Sequence, residues 1–253
     1  METKEKRELS PEERRRRREA RRRREQEMKR RKKKRILVLT GVILVALIVL
    51  GLVGFGIYKL VGGSTKEISA KGTEFVIALD PGHGGEDIGM SSGETTEKQV
   101  TLDICSKLKI MLESQGYRVV MTREDDTRVS KEERVAAANA SSADLLVSVH
   151  CGYSQNSTAS GAVSHYKADS GESAYLGENI QAALVKESGA SDGGFSEGSY
   201  TIITDTEMPA VLVEVGYLSN MQEAENLADD SYQNDTAKGI AKGIILSLDI
   251  DNK

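Results

Sequence analysis

Short apolar runs alternate with longer amphipathic runs between Phe75 and Leu248, and this order constrains the fold more than any other feature of the sequence. An apolar run of about four to eight residues is typical of a buried strand, whereas apolar residues three and four positions apart are typical of a helix. Strands that alternate with helices form a mostly parallel sheet covered on both faces. We therefore predict an α/β fold, a single domain whose mostly parallel, twisted sheet is flanked by helices.

The boundaries of these elements follow from the apolar runs and from helix end signals such as Ser130 before one helix and Gly116 after another. The predicted strands are Phe75–Leu79, Tyr117–Met121, Asp144–Val149, Gly161–Tyr166, Tyr200–Ile203 and Ala210–Val215. The predicted helices are Glu97–Gln115, Ser130–Ala140, Ser173–Glu187 and Gln233–Leu248.

The run from Ile36 to Tyr58 contains no charged residue and separates a basic segment from an acidic one. Residues 1–35 carry 19 Lys and Arg against 8 Asp and Glu, a net charge of +11, and the whole chain carries -4, so the remainder carries -15. A helix of this length, at about 1.5 Å per residue, covers the roughly 30 Å hydrocarbon core of a bilayer. We predict one transmembrane helix.

A cleavable signal peptide is the alternative, but its apolar core is usually about 7 to 15 residues long. Residues 59–70 also offer no clear cleavage site, which favours an uncleaved anchor. The positive-inside bias then gives a basic cytoplasmic tail (1–35), an anchor (36–58), a linker (59–74) and an extracytoplasmic domain (75–253) on a single-pass protein of the cell membrane.

The basic tail has the charge to bind RNA or anionic lipid headgroups, although a solvated segment that sets membrane topology is the simpler interpretation. No aromatic residue lies between its charges, so base stacking is not available and no nucleic-acid partner is expected.

Four residues of the body carry the chemistry: His83, Glu97, His150 and Glu214. Three of them lie at or near the ends of predicted strands, and Glu97 opens a predicted helix; ligands on parallel sheets bind beyond the carboxyl ends of the strands. Two imidazoles and a carboxylate can hold one zinc ion, which leaves a second carboxylate to move protons. Glu214 interrupts an apolar run, where an unpaired charge would be costly, so it needs a metal, a hydrogen-bond network or a raised pKa.

The body resembles the zinc-dependent N-acetylmuramoyl-L-alanine amidases of bacterial cell walls, the amidase-3 family, from about residue 75 to residue 248. The matching motifs are Asp80-Pro-Gly-His83-Gly-Gly, Glu97-Lys98, Thr122-Arg123 with Asp126, Val129 and Arg134, Ala138-Asn139, Ser148-Val149-His150, and Pro209-Ala-Val-Leu-Val-Glu214 with Gly216, Leu218, Ser219 and Asn220.

The resemblance implies that His83, Glu97 and His150 are the ligands of one Zn²⁺ and that Glu214 is the catalytic carboxylate. It implies hydrolysis of the amide bond between N-acetylmuramic acid and L-alanine in peptidoglycan, with Glu214 accepting the proton of the attacking water and passing it to the leaving amine. An activator protein is a candidate partner. A wall-binding or divisome scaffold without turnover, or another zinc amidohydrolase acting on peptidoglycan, is the alternative function.

Several residues depart from the family pattern or keep two interpretations. Cys151-Gly152 stands where members often have Asn, and His165 stands where an aromatic or polar residue is more usual; His165 either contacts substrate or is a structural surface residue. Asp80 either orients His83 or braces the turn before Pro81. We expect Cys105 and Cys151 to be free thiols, with Cys151 pointing away from the metal.

The segment between His150 and Glu214 is short, without room for the helix that blocks the site in some family members. We therefore expect a less occluded cleft.

Overall fold

The structure, a computed structural model, describes residues 75–248. The strands are β1 (Val76–Pro81), β2 (Ser91–Ser92), β3 (Thr95–Thr96), β4 (Arg118–Met121), β5 (Leu145–Gly152), β6 (Ala162–Lys167), β7 (Asp192–Gly198) and β8 (Ala210–Tyr217). The helices are α1 (Glu97–Ser114), α2 (Lys131–Ala140), α3 (Gly171–Ser188), α4 (Thr201–Thr204), α5 (Met221–Ala228) and α6 (Asp230–Leu248).

Six strands form one sheet in the order β4-β1-β5-β8-β6-β7, and β2 pairs with β3 in a separate hairpin. All neighbours in the large sheet are parallel except β6 and β8, which are antiparallel, so β6 and β7 run against the other four strands. The predicted α/β class is confirmed, and the sheet is mixed.

The two faces of the sheet are covered by different helices. Alternate residues of β1, β5 and β8, among them Ile77, Val147 and Val213, face a large core that includes side chains of α1, α3, α5 and α6. The intervening residues face a smaller core with α2 and α4. This alternation follows from the two-residue period of a strand. His150 and Glu214, described below, occupy strand positions of the second face.

The predicted strand at Tyr200–Ile203 is wrong, because Thr201–Thr204 is a helical turn. Ile202 and Ile203 are both buried, as consecutive residues of a strand covered on both faces would also be, so a short apolar run does not separate the two structures. Here the N–H groups of Thr204 and Asp205 donate to the carbonyl oxygens four residues earlier, which makes the turn helical. Strand β7 was not predicted, since its sequence Asp192–Gly198 is rich in glycine and polar residues, and α5 was not predicted either.

The predicted cytoplasmic tail, transmembrane anchor and linker lie outside the described residues. Within residues 75–248, no helix combines the length and the apolar character needed to cross a bilayer.

Asp80, at the end of β1, forms a buried ion pair with Arg134 of α2, with 2.8 Å between Oδ1 and Nη1. The hydroxyls of Thr122 and Ser148 donate to the same carboxylate. Burial by itself would raise the pKa of Asp80, but the charge of Arg134 and these hydrogen bonds hold it below its ordinary 3.8. Asp80 thus joins β1, β5 and α2 and makes no contact with the His83 side chain, which decides for the structural interpretation of Asp80.

We expect Asp80→Asn to lower the free energy of unfolding by about 3 to 5 kcal/mol at pH 7, because it leaves the buried Arg134 without its counter-charge. The folded-state pKa of Asp80 is lowered, so its contribution is complete well above pH 3.8 and is lost as the pH falls through the folded-state value. Denaturant unfolding of both proteins should show the difference at pH 7 and a narrower one below pH 3.8.

Glu124→Gln is the matched control, because Glu124 pairs with Lys109 at the surface and is 67% exposed. Removing that pair should cost less than about 1 kcal/mol. Equal losses in the two variants would contradict a special role for the buried pair.

Candidate functional site

The site begins with two adjacent parallel strands. His150 of β5 lies directly beside Glu214 of β8 in the register of the pair, so the backbone ladder places both side chains on the same face. His83 follows the end of β1, which is the other neighbour of β5. The three residues that the sequence placed at strand ends therefore meet at one edge of the sheet.

Glu97, the first residue of α1, lies between the two histidines. Its Oε1 is 3.2 Å from Nε2 of His83 and 2.9 Å from Nδ1 of His150. One ligand atom from each of the three residues lies within 4.8 Å of the others, and the two imidazole rings meet edge to face with centroids 5.1 Å apart. Two imidazole nitrogens and a carboxylate oxygen are the donor set of many catalytic zinc sites, so these residues fit a divalent metal.

The carboxylate of Glu97 is held in place by the backbone. The N–H group of Cys151 donates to Oε1 of Glu97 and that of Met90 donates to Oε2, each with a nitrogen-to-oxygen distance of 2.9 Å. The residue is 2% exposed. Burial alone would raise the pKa of Glu97, but the hydrogen bonds and charges of the two imidazoles hold it far below its usual range. Glu97 is therefore ionised and pre-oriented, which suits it to bind a metal ion.

Asp87 is a site residue that the sequence analysis missed. Its Oδ1 lies 2.9 Å from Nδ1 of His83 and also accepts a hydrogen bond from the N–H of Gly89. A carboxylate on one imidazole nitrogen fixes the ring and leaves the other nitrogen for the metal. Asp87, and not Asp80, thus orients His83; its place four residues after the histidine was the one available signal.

The backbone that carries His83 is held by two buried arginines. Arg123 donates to the carbonyl oxygens of Pro81 and Gly82, and Arg134 donates to those of Pro81 and His83. His83 itself has φ 61°, a left-handed conformation that a non-glycine residue adopts at a cost of about 1 to 3 kcal/mol. The arginine contacts stabilise a turn that the sequence alone would not favour.

Glycine is required at two points next to the metal-ligand residues. A Cβ at Gly82 would lie 2.4 Å from Cε1 of His150, and a Cβ at Gly89 would lie 2.6 Å from Oε2 of Glu97. The glycines of this loop therefore allow close packing around the histidines.

Glu214 forms the other side of the site. It does not belong to the candidate metal-ligand cluster of His83, Glu97 and His150. Its side chain is 19% exposed and its Oε2 lies 3.8 Å from Nε2 of His165 on β6. Burial and then the charge of Glu214 raise the pKa of both Tyr200 and Tyr217, which places the carboxylate close to these two rings.

The two cysteines behave as expected. Both are free and buried, and Cys151 belongs to the large core on the opposite face from His150. The backbone N–H of Cys151 donates a hydrogen bond to Oε1 of Glu97.

A cleft of about 710 Å³ gives access to these groups. Its walls include both histidines, Glu97 and Glu214, the start of α2, and the exposed rings of Tyr153 and Tyr200. Helix α3, in the segment between His150 and Glu214, packs on α6 and on the large core, whereas α4 contributes to the cleft wall. His83 and His150 keep about a quarter of their side chains exposed, so a substrate can reach them.

An α/β fold with a His, Glu, His cluster and a separate carboxylate in one cleft is the arrangement of a hydrolase site that could hold a metal ion. Residues 77–246 match the family model described as N-acetylmuramoyl-L-alanine amidase (Amidase_3). The chain belongs to this family and is an amidase.

Individual relatives agree with the family. The germination-specific N-acetylmuramoyl-L-alanine amidase of Bacillus subtilis is 35% identical over 186 residues, which cover 67% of this chain and 78% of that protein. An N-acetylmuramoyl-L-alanine amidase from Clostridium difficile 630 superposes with a TM-score of 0.68 at 35% identity, over 69% of this chain and 97% of that one. The CwlD amidase of Clostridioides difficile, solved in complex with the GerS lipoprotein, has a TM-score of 0.66 at 31% identity, over 70% and 100%.

We expect Gly82→Ala to weaken Zn²⁺ binding by about 10- to 100-fold, because the new methyl group would displace the imidazole of His150. The measurement is a competition titration with a chromophoric chelator. Gly171→Ala is the control, since a Cβ at Gly171 meets no described atom within 4 Å. Unchanged affinity in Gly82→Ala would mean that His150 does not hold the metal.

Proposed function

We propose that this amidase uses one zinc ion, bound by His83, Glu97 and His150, to hydrolyse the amide bond between N-acetylmuramic acid and L-alanine in peptidoglycan. The observation that carries the proposal is the convergence of these three residues with Glu214 in one cleft. The substrate is inferred from the relatives, which are N-acetylmuramoyl-L-alanine amidases, and the metal is inferred from the two imidazoles and the carboxylate.

Each metal-ligand residue has a defined part. Asp87 turns Nε2 of His83 inward, the packing of Gly82 sets the ring of His150, and two backbone N–H groups orient Glu97. These residues would hold a zinc ion, whose chemistry when bound would be to polarise the amide carbonyl and to make water a better nucleophile near neutral pH. The single carboxylate ligand leaves the second carboxylate of the cleft uncommitted to the metal.

In this proposal, Glu214 transfers the proton during hydrolysis. Its place beside His150 in the strand register puts the carboxylate next to the metal-ligand cluster, where it takes a proton from the attacking water. The same carboxyl group then gives that proton to the departing amino group of L-alanine. The products are a glycan strand whose lactyl group now ends in a free carboxylate and a free stem peptide that begins with L-alanine.

The location of the reaction rests on the sequence. Residues 36–58 would anchor the chain in the cell membrane, and the linker of residues 59–74 would keep the catalytic domain on the outer side, near membrane-proximal peptidoglycan. A protein partner is part of this proposal, because the related CwlD amidase was solved with a lipoprotein bound.

We expect Glu214→Gln to bind zinc as the unmodified protein does and to release stem peptides at least about 100-fold more slowly, because it cannot accept a proton. His83→Ala should lose both zinc and activity. The measurement combines metal analysis of the purified full chain with chromatography of peptides released from purified peptidoglycan.

Glu197→Gln is the matched control, because Glu197 is an exposed carboxylate on β7. This variant should retain full activity. Release by Glu214→Gln at the normal rate would refute the role of that carboxylate. Zinc in every protein except His83→Ala, without release by any of them, would refute an autonomous enzyme and favour one that needs an activator. Free cut peptides or acetate in place of peptides beginning with L-alanine would indicate a different zinc amidohydrolase.

A further inference from the structure

His165 lies behind the carboxylate of Glu214 and outside the metal-ligand cluster. It belongs to β6, which is antiparallel to β8, and its partner in the register is Leu212. Leu212 and Glu214 are two residues apart on one strand, so all three side chains project from the same face of the sheet. Nε2 of His165 is 3.8 Å from Oε2 of Glu214, an ion-pair distance.

Glu214 has little other support. Its neighbours Val213 and Val215 are fully buried, and its own side chain is 19% exposed. Within residues 75–248, His165 is the only basic side chain within ion-pair distance of this carboxylate, and no hydrogen bond from another described group reaches it. A carboxylate in such surroundings needs a donor to hold it in one orientation.

The imidazole of His165 is itself fixed in position. The ring of Tyr200 packs against it with the centroids 5.2 Å apart, and the side chain is 17% exposed. On β7, Gly198 leaves the space that the histidine occupies, since a Cβ there would lie 2.8 Å from Cβ of His165. A ring packed against Tyr200, with one nitrogen toward Glu214 and its Cβ close to β7, is not an ordinary surface histidine.

We propose that His165 is a positioning residue for the reaction, which donates its Nε2–H to Glu214 and holds that carboxylate toward the metal-ligand cluster. The proposal rests on the proposed function of Glu214. His165 does not line the substrate cleft, whereas Glu214, Leu212 and Tyr200 do, so it acts through Glu214 and not by contact with substrate. Hydrogen bonds of this kind are often long without substrate and shorten in the reacting complex.

The test compares His165→Phe with His165→Gln in the full chain. Phe keeps an aromatic ring against Tyr200 but has no donor, whereas the Gln amide carries an N–H donor near the position of Nε2. We expect kcat for a soluble muropeptide to fall by about 10- to 100-fold in His165→Phe, with KM within about twofold and the zinc content unchanged. His165→Gln should recover most of the lost kcat.

Ser196→Ala is the matched control, because Ser196 is the register partner of His165 on β7 and is exposed. Its kcat should equal that of the unmodified protein. Thermal unfolding of each variant checks the fold, and His165→Leu replaces the Phe variant if that one unfolds.

Normal kcat in His165→Phe, a change in KM alone, or equal loss in His165→Phe and His165→Gln would each overturn the positioning role. Glu214→Gln is measured alongside to separate the two proposals. If Glu214→Gln is inactive while His165→Phe is fully active, only the inference about His165 fails; if Glu214→Gln is active, the proposed function fails.

Discussion

Two buried arginines donate hydrogen bonds to the turn after β1, and the rest of the site depends on these contacts. Arg123 and Arg134 bind the carbonyl oxygens of residues 81–83, and Asp80 neutralises Arg134 from inside the sheet. Buried guanidinium groups are costly unless every donor finds an acceptor. Here the acceptors are backbone oxygens next to His83, so the same contacts that satisfy the arginines keep that histidine in its left-handed conformation.

A second constraint comes from the sheet. His150 and Glu214 are neighbours across a parallel pair, and Glu97 reaches His150 from the first turn of α1. Glu97, His150 and Glu214 therefore stand on regular secondary structure, while His83 and Asp87 stand on a loop that the arginines hold. The cleft wall, by contrast, is built from the start of α2 and from segments around Tyr153 and Tyr200.

The sequence was sufficient where a residue's role is set by its own strand. Apolar runs located β1, β5 and β8, and the motifs located the residues that the structure gathers into one cleft. The sequence was insufficient where the role of a residue depends on a contact that only the folded chain makes. The contact between Asp87 and His83 exists only in the folded loop, and the contact between His165 and Glu214 needs an antiparallel pairing that a strand-helix alternation does not predict. The glycine-rich β7 has no apolar period to detect.

Because Glu214 lies beside His150 only in the observed register of β5 and β8, the enzyme activity also indicates whether these strands have paired correctly. Side chains on a strand alternate in direction, so a slip of β8 by one residue would turn Glu214 into the core and bring Val213 or Val215 beside His150. Such a chain would keep its helix content and much of its compactness yet have no carboxylate of β8 beside His150. Specific activity per folded molecule therefore measures strand alignment, which spectroscopy of secondary structure does not detect.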